Sequence, residues 1–563
     1  MAKWMEIRKG ADFQAISERF QITPFTARLI RNKDLTGEQE IREYLHGGLK
    51  DLHPASLMKG IPEAADLLLQ KIRQKALIRV IGDYDIDGVC ATYILLKGLE
   101  KAGARVDTDI PDRKKDGYGL NLDLIRRARE AGVDTIVTCD NGIAAPAEIA
   151  AAKEMGMTVI VTDHHELQDV VPQADVIVNP RQPDCPYPYK KLCGAAVAWK
   201  LVQELWSRLS CPEDLICKDL LMFAAFATVG DVMDLTGENR ILVKEGLKLL
   251  QRTAHPGMSA LIEANELSRD RLSAYHIGFV LGPCINASGR LDTAKRALEL
   301  LNTEDPLLAL ERAGELKELN DERKALTEKG VEMAVEQIEG SARKEDRVLV
   351  VYLPDCHESL AGIIAGRIRE RYYRPVFVLT KGEEAVKGSG RSIEAYSMFE
   401  EMSRCRELFL KYGGHPMAAG LSISEELVET FRERLNENCT LTAADLTEVI
   451  HIDMVLPFSH VSEKLTEELL LLEPFGKGNT KPVFAARNVT VLESRVLGKN
   501  QNVLRMKLMD ESKTVREGIF FSSCMQEVLE DLQKKPVMHI LYYPEMNEFR
   551  GQRRLQLRIL NYC

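Results

Sequence analysis

Three aspartates, Asp83, Asp85 and Asp87, occupy alternate positions in the stretch IGDYDIDGV (81–89). Two carboxylates about 4 Å apart repel by about 4 kcal/mol at an effective dielectric near 20. A chain that gathers three of them either leaves them in a solvated loop or gives them a cation to share. More such groups follow: Asp140 opens DNGI, Asp163, His164 and His165 form TDHHE, and Asp231 stands in ATVGDVMDL. The donors are carboxylate oxygens and imidazole nitrogens, a set that suits Mn2+ or Mg2+ better than zinc. Two divalent ions bridged by a carboxylate would offset the crowded charge and clamp a phosphoryl group. Each piece alone has a plainer reading. An aspartate after a strand is commonly a turn former or N-cap, so Asp163 could cap a following helix, and two adjacent histidines can form a polar surface turn.

The elements around these residues favour the joint reading. The apolar runs ALIRVI (76–81), DTIVTC (134–139), MTVIV (157–161) and DVIVN (175–179) alternate with helix-like segments such as GVCATYILLKGLEKAG (88–103). Near-continuous β-branched runs separated by amphipathic helices predict an α/β fold with a parallel sheet covered on both faces. In such a sheet the carboxyl ends of the strands converge on one crevice, so acids far apart in sequence share a site. Asp231 also follows an apolar run and is expected at the same edge. Residues 214–340 read mostly as helix, ending in the charged amphipathic segment 324–340, which is suited to bridging two domains. A second α/β block starts at RVLVVYL (347–353) and runs through a helix (360–373), a strand (375–380) and the glycine-rich stretches KGSGRS and YGGHPMAAG. Gly413 and Gly414 would let the backbone approach a ligand, or form a helix C-cap after Tyr412. Beyond about residue 448, short half-alternating strands between turns predict a small OB-like β-barrel.

Composition sets outer bounds. The 563 residues, 45% hydrophobic and 28% charged, describe a globular chain of three or four domains. The twelve cysteines contain no C-x-x-C pair, as expected of reduced core thiols rather than a zinc or disulfide framework. A formal charge of −10 weighs mildly against nucleic acid as a partner, although a local basic footprint decides that question. MAKWMEIRKG lacks the apolar stretch of a signal peptide, and the longest apolar run, Leu220–Val229, is too short to span a bilayer. A cytoplasmic protein without membrane contact is expected.

GDYDIDG, DNGI and TDHHE in this order resemble the DHH phosphoesterase superfamily. IPDRKKDGYGL (110–120), ATVGDVMDLTGENR (227–240), HIGFVLGPCINASGRL (276–291), GSGRS (388–392), YGGHPMAAG (412–420) and EPFGKGNTKPVF (473–484) resemble its RecJ branch, the single-strand-specific exonucleases. PDCHESLAG (354–362) departs from that branch, keeping only His357 of the expected Trp-His-Pro-Gly stretch. The resemblance implies an N-terminal segment (1–45), a parallel-sheet DHH catalytic domain (46–235), a helical connector (236–343), a smaller α/β DHHA1 domain (344–445) and an OB-like nucleic-acid-binding barrel (446–563).

It also implies roles. Two divalent ions, Mn2+ or Mg2+, would be held by Asp85, Asp87, Asp140, His164 and Asp231, with Asp140 as bridge and Asp83 as a further ligand. Asp163 and His165 would be catalytic, His165 contacting the scissile phosphate or aiding the attacking water. Asn286 and Arg290 would form a polar pair at the edge of the site. Ser389, Gly390 and Arg391 would hold a 5′ phosphate, Arg113 would contact phosphate and Tyr118 would stack, while Gly414 and His415 would line the site. A planar guanidinium fork suits phosphate and an aromatic ring suits an unstacked base. The expected activity is hydrolysis of single-stranded DNA from its 5′ end to mononucleotides in recombination and repair, with single-strand-binding protein and a RecQ-like helicase as partners. The alternatives are a DHH-family phosphodiesterase for short oligoribonucleotides or cyclic dinucleotides, and a non-catalytic DNA-binding scaffold.

Overall fold

The computed structural model describes residues 2–113, 117, 119–209, 216–498, 500–522, 524–535, 537–549 and 552–563. Tyr118 lies outside the described residues. The chain forms two compact units, residues 52–446 and residues 1–51 with 447–563.

The larger unit begins with the expected parallel sheet. Its strands are β1 (Leu77–Gly82), β2 (Arg105–Asp109), β3 (Thr135–Cys139), β4 (Thr158–Thr162) and β5 (Val176–Val178), in the order β2-β1-β3-β4-β5. All pairings are parallel. Every residue of β3 is buried, as a strand covered on both faces requires. This order reverses direction between β1 and β3, and the crevice at such a switch point is where open α/β sheets bind ligands. The helix α1 (Ile86–Lys101) follows β1, and α2 (Gly194–Arg208), α3 (Ile216–Gly230) and α4 (Gly237–Gln251) complete the covering layer. Asp231 therefore follows a helix. The expectation of a strand end fails there, because the run Leu220–Val229 is apolar on all sides and is buried as a helix.

A helix α5 (Gly282–Leu291) and the 34-residue α6 (Pro306–Glu339) lead to a second sheet. It comprises β6 (Leu349–Tyr352), β7 (Val376–Lys381), β8 (Val386–Arg391), β9 (Phe409–His415) and β10 (Ala418–Ile423), in the order β9-β10-β8-β7-β6, with α7 (Ala361–Tyr372) packed on it. The two glycine-rich stretches are strands. Gly413 and Gly414 pair with Gly420 and Ala419 across a hairpin and do not cap a helix.

In the smaller unit, residues Phe484–Leu497, Val503–Met509, Val515–Phe521, Val537–Phe549 and Gln552–Tyr562 form a sheet whose first strand also pairs with Val537–Tyr542, closing a barrel. The N-terminal segment belongs here. Lys3–Glu6 pairs in parallel with Val449–Ile452. Ile22, Leu29, Ile30 and Leu45 share one core with Phe458, Leu469 and Tyr542. Glu468, buried in this unit, accepts hydrogen bonds from Thr23 N, Thr23 Oγ1 and Thr26 Oγ1. Among the described residues, no helix is long and apolar enough to cross a membrane.

Candidate metal centre and anion cleft

Asp83 directly follows β1, Asp85 is the N-cap of α1 and Asp87 lies in its first turn. The alternate spacing is thus a strand-to-helix turn, with Asp85 Oδ1 accepting from the backbone N–H groups of Asp87 and Gly88 at 2.9 and 3.1 Å. Gly88 permits the turn, since a Cβ there would come within 2.3–2.5 Å of Asp83 backbone atoms. Asp87 is held by a second helix: Gly194 N and Ala195 N, the first amides of α2, donate to its two oxygens at 2.6 and 2.8 Å. Asp140 follows β3 in the left-handed region, at φ 59°. A Cβ on Gly194 would come within 2.6 Å of the Asp140 Cβ, so α2 begins directly against it.

These residues meet. Ligand atoms of Asp83, Asp85 and Asp140 lie within 4.8 Å of one another, as do those of Asp87, His164 and Asp231, and those of Asp140, His164 and His165. His164 Nε2 is 3.0 Å from Asp140 Oδ1, 3.5 Å from Asp87 Oδ2 and 3.9 Å from Asp231 Oδ2. Asp140 thus belongs to two groups, as a bridging carboxylate must. His164 is buried, so the surface-turn reading of the histidine pair fails for it.

The electrostatics call for added positive charge. Burial raises the pKa of Asp140 well above the usual carboxylate range, and the charges of Asp87, Asp85, Asp83 and Asp231 push it further. Burial and then Asp85 raise Asp83 to about 8, and burial and then Asp87 raise Asp85. Burial lowers the pKa of His164. Two buried polar atoms here, Asp83 Oδ1 and His164 Nδ1, have no hydrogen-bond partner among the described residues. Hard oxygen donors, one or two imidazoles and uncompensated negative charge fit a pair of divalent cations.

Asp163, expected to be catalytic, is tied to His165 and to the neighbouring backbone. Its Oδ1 accepts from His164 N, His165 N and the ring of His165 at Nδ1 (2.7 Å), and its Oδ2 accepts from Ile143 N. No helix follows for it to cap. Burial alone would raise this carboxyl, but the bonds from His165 and the backbone amides hold it below its ordinary value. In return, His165 is raised to about 9 against the opposing effect of burial.

A cleft of about 700 Å3 adjoins the cluster. Tyr84, between Asp83 and Asp85, lines it, with Arg113 Cζ 5.1 Å from the centre of its ring. Arg290, Ser389 and Arg391 also line it, with Lys387 and Lys411, against the single acid Glu358 among the lining residues. Strand alternation on β8 points Lys387, Ser389 and Arg391 to this side. Arg391 is half-buried, and its Nη1 donates to Ser389 Oγ at 3.2 Å and to Gly390 O at 2.7 Å. It does not sit on a solvated loop. Burial, and then the charge of Arg369, lowers its pKa. Burial, followed by Arg113 and Arg323, lowers Arg290 to about 10. The first turn of α7 supplies Ala361 and Gly362 to the same cleft. A Cβ on Gly362 would come within 2.8 Å of Arg391 Nη2. A 3-10 turn, Glu358–Leu360, runs directly into α7, and the Ala361 N–H is bonded to Glu358 O, so the basic side chains rather than free helix amides give the cleft its affinity for anions.

Four expected substrate residues do not line the cleft. Gly390 takes the opposite pleat, where a Cβ would strike Met398 and Phe377 of the core. Gly414 and His415 are exposed on β9 and do not line the cleft. Asn286 supports the cluster from behind, its Oδ1 accepting from Ile86 N at 2.8 Å. Sequence reasoning missed Tyr84, Lys387, Lys411 and the α7 start. Only Tyr84 carried a signal, lying inside the aspartate motif. His357 caps the turn before α7 by accepting from Ser359 N, so the atypical loop still delivers a helix start to the cleft.

Family models match in three places: the DHH family N-terminal domain over residues 77–228, the DHHA1 domain over 345–440 and the RecJ OB domain over 452–561. The chain is 36% identical to the single-stranded-DNA-specific exonuclease RecJ of Bacillus subtilis over 562 residues, covering 99% of this chain and 70% of that protein. It is 32% identical to the Escherichia coli enzyme of that name, covering 99% and 98%. It is also similar to the crystal structure of RecJ from Thermus thermophilus in complex with Mn2+, with a TM-score of 0.85 and 30% identity over 100% of this chain and 79% of that one.

Proposed function

The chain belongs to the RecJ family, and from that premise we propose that it degrades single-stranded DNA from the 5′ end, one nucleotide at a time. It is a metal-dependent single-strand-specific exonuclease. The observation that supports the polarity is the continuity of cluster and cleft through Tyr84: a pocket lined by Arg113, Arg290, Lys387, Arg391 and Lys411 adjoins the carboxylate–histidine cluster.

Asp83, Asp85 and Asp140 would hold one Mn2+ or Mg2+, and Asp87, Asp140, His164 and Asp231 the other. When bound, such ions neutralise phosphate oxygens and lower the pKa of a water molecule. The protein's own groups do the rest. The start of α2 fixes Asp87, and Asn286 fixes the turn that carries Asp85. Asp163 accepts from Nδ1 of His165, so that a protonated Nε2 can donate to a phosphate oxygen at neutral pH. Arg391 and Ser389 would receive the terminal 5′ phosphate, with Arg290 and Arg113 on the backbone of the first nucleotide. The barrel of the smaller unit would bind the strand further along by stacking and backbone contacts. Recombination and repair would be the setting, with single-strand-binding protein and a RecQ-like helicase as partners.

The test is digestion of single strands labelled at either end, and of duplexes, with Mn2+ and with chelator. Early release of a labelled mononucleotide from the 5′ end, on single strands and with metal, is the expected result. Early release of the 3′ label, or accumulation of oligonucleotides, would overturn the polarity.

A further inference from the structure

The helical run that supplies Asn286 and Arg290 shows one continuous accessible stripe. Tyr275, Phe279, Pro283, Asn286 and Arg290 follow each other at spacings of four, four, three and four, the intervals that keep helical side chains on one side. Of the intervening residues, Ile277, Leu281, Cys284, Ile285 and Ala287 are buried, while His276, Gly278 and Val280 are half-buried. At one end of the stripe Arg290 lines the basic cleft, and in the middle Asn286 holds the turn bearing Asp85 and Asp87.

The other end is aromatic. Tyr275 and Phe279 are 62% and 67% exposed and stack on each other, with centroids 4.9 Å apart and ring planes 27° apart. Neither ring joins a hydrophobic core. Phe279 lies within a π-helical turn, Ile277–Leu281, a local widening that often marks functional positions. This end adjoins the cluster. A Cβ on Gly278 would lie 3.7 Å from Val229, two residues before Asp231. Val232, directly after that acid, is itself 61% exposed and in the left-handed region at φ 54°. The carboxylate–histidine cluster is thus linked to the basic cleft through Tyr84 and to the aromatic pair through Val229 and Asp231.

We infer that Tyr275 and Phe279 form a stacking platform for the unpaired bases immediately 3′ of the scissile phosphate. The inference rests on the proposed 5′-to-3′ reading. If the terminal phosphate occupies the Arg391 end, the retained strand must leave past the opposite end of the stripe. An apolar ring face suits an unstacked base of any sequence, whereas a paired base hides its faces in the duplex. The platform would then select single strands at the active site itself, independently of the barrel.

The experiment uses the full chain with Mn2+ and 5′-phosphorylated strands from dinucleotide to octanucleotide. Phe279→Ala and the Tyr275→Ala/Phe279→Ala pair are expected to lower kcat/KM on the octanucleotide by about tenfold or more, as loss of one stacked base predicts. The loss should grow with strand length, and Phe279→Tyr should retain wild-type behaviour. A strand with a methylphosphonate first linkage and 2-aminopurine at its third position reports stacking directly. Its fluorescence should be quenched on binding wild type and recover with the alanine variants. If wild type degrades the strands while the variants leave the quenching and the length profile unaltered, the platform is overturned and the function stands. If wild type does not degrade single strands from the 5′ end, the functional reading falls and takes this inference with it.

Discussion

Asp140 Oδ1 lies 3.0 Å from His164 Nε2, and the same aspartate shares a second group with Asp83 and Asp85. No other carboxylate in the cluster joins both halves among the described residues. Asp140→Ala should therefore remove bound Mn2+ and lower turnover by more than about a hundredfold, since loss of even a supporting partner of a metal ligand commonly costs about 10–100-fold. In chelator, Asp140→Asn should melt above wild type, because the fold disfavours the ionised carboxyl it loses. Metal content, rate and melting temperature check this together. A variant with near wild-type turnover sinks the bridging role.

Asp163 should behave differently. Asp163→Asn keeps the shape but loses the charged acceptor that orients His165. Turnover is expected to fall by about 10²–10⁴, the usual worth of a positioned acid or base, while bound metal is retained. If metal is lost in proportion to rate, Asp163 acts on the ligands and not on His165.

Arg391 should set the preference for a terminal phosphate. Wild type is expected to favour 5′-phosphorylated over 5′-hydroxyl strands. Arg391→Ala should erase about tenfold or more of that preference, the worth of a charge-assisted hydrogen bond of about 1.5–3 kcal/mol. Arg391→Lys should recover part of it, because an ammonium lacks the planar fork. Initial rates on both substrates decide, and unaltered discrimination in Arg391→Ala would move the 5′ pocket elsewhere.

The shared core of residues 1–51 and 447–563 predicts two unlike truncations. A chain ending at residue 446 leaves Ile22, Leu29, Ile30 and Leu45 without their partners and should aggregate. The fragment 52–446 should stay folded and cleave short strands while binding long ones more weakly, each lost stacked base being worth about 1–3 kcal/mol. Light scattering and oligonucleotide titrations distinguish them. Equal affinity for long strands with and without the barrel would refute its binding role.

His255 makes acid stability measurable. Burial lowers its pKa to about 4, and Tyr93 Oη sits 2.8 Å from its Nε2. The unfolded chain takes up this proton near pH 6.5 and the folded chain only near 4, so stability should fall as pH drops through that window and level off below it. The effect is worth about 3 kcal/mol. His255→Asn preserves a side-chain acceptor for Met258 N at the start of the helix Pro256–Ala264. It should lose less stability than wild type between pH 6.5 and 4. Parallel acid unfolding curves for the two proteins would remove His255 as the cause.

The sequence by itself determined what is local. β-branched runs such as TIVTC and TVIVT specify buried parallel strands, because a strand covered on both faces needs apolar residues at every position. The type of each donor specifies hard cations, since carboxylate and imidazole chemistry does not depend on the fold. Tertiary structure decided what depends on distant partners. The end of a helix, not of a strand, brings Asp231 to the cluster. The pleat of β8 sends Ser389 and Arg391 to the cleft and Gly390 to the core, a choice of face that a glycine-rich run leaves open because it lacks side-chain alternation. The start of α2 holds Asp87 from more than a hundred residues away. The N-terminal segment joins the smaller unit through a strand pairing with Val449–Ile452 and through the buried Glu468, and neither contact leaves a periodic trace, because the free energy that selects it comes from surfaces that meet only after the chain has folded.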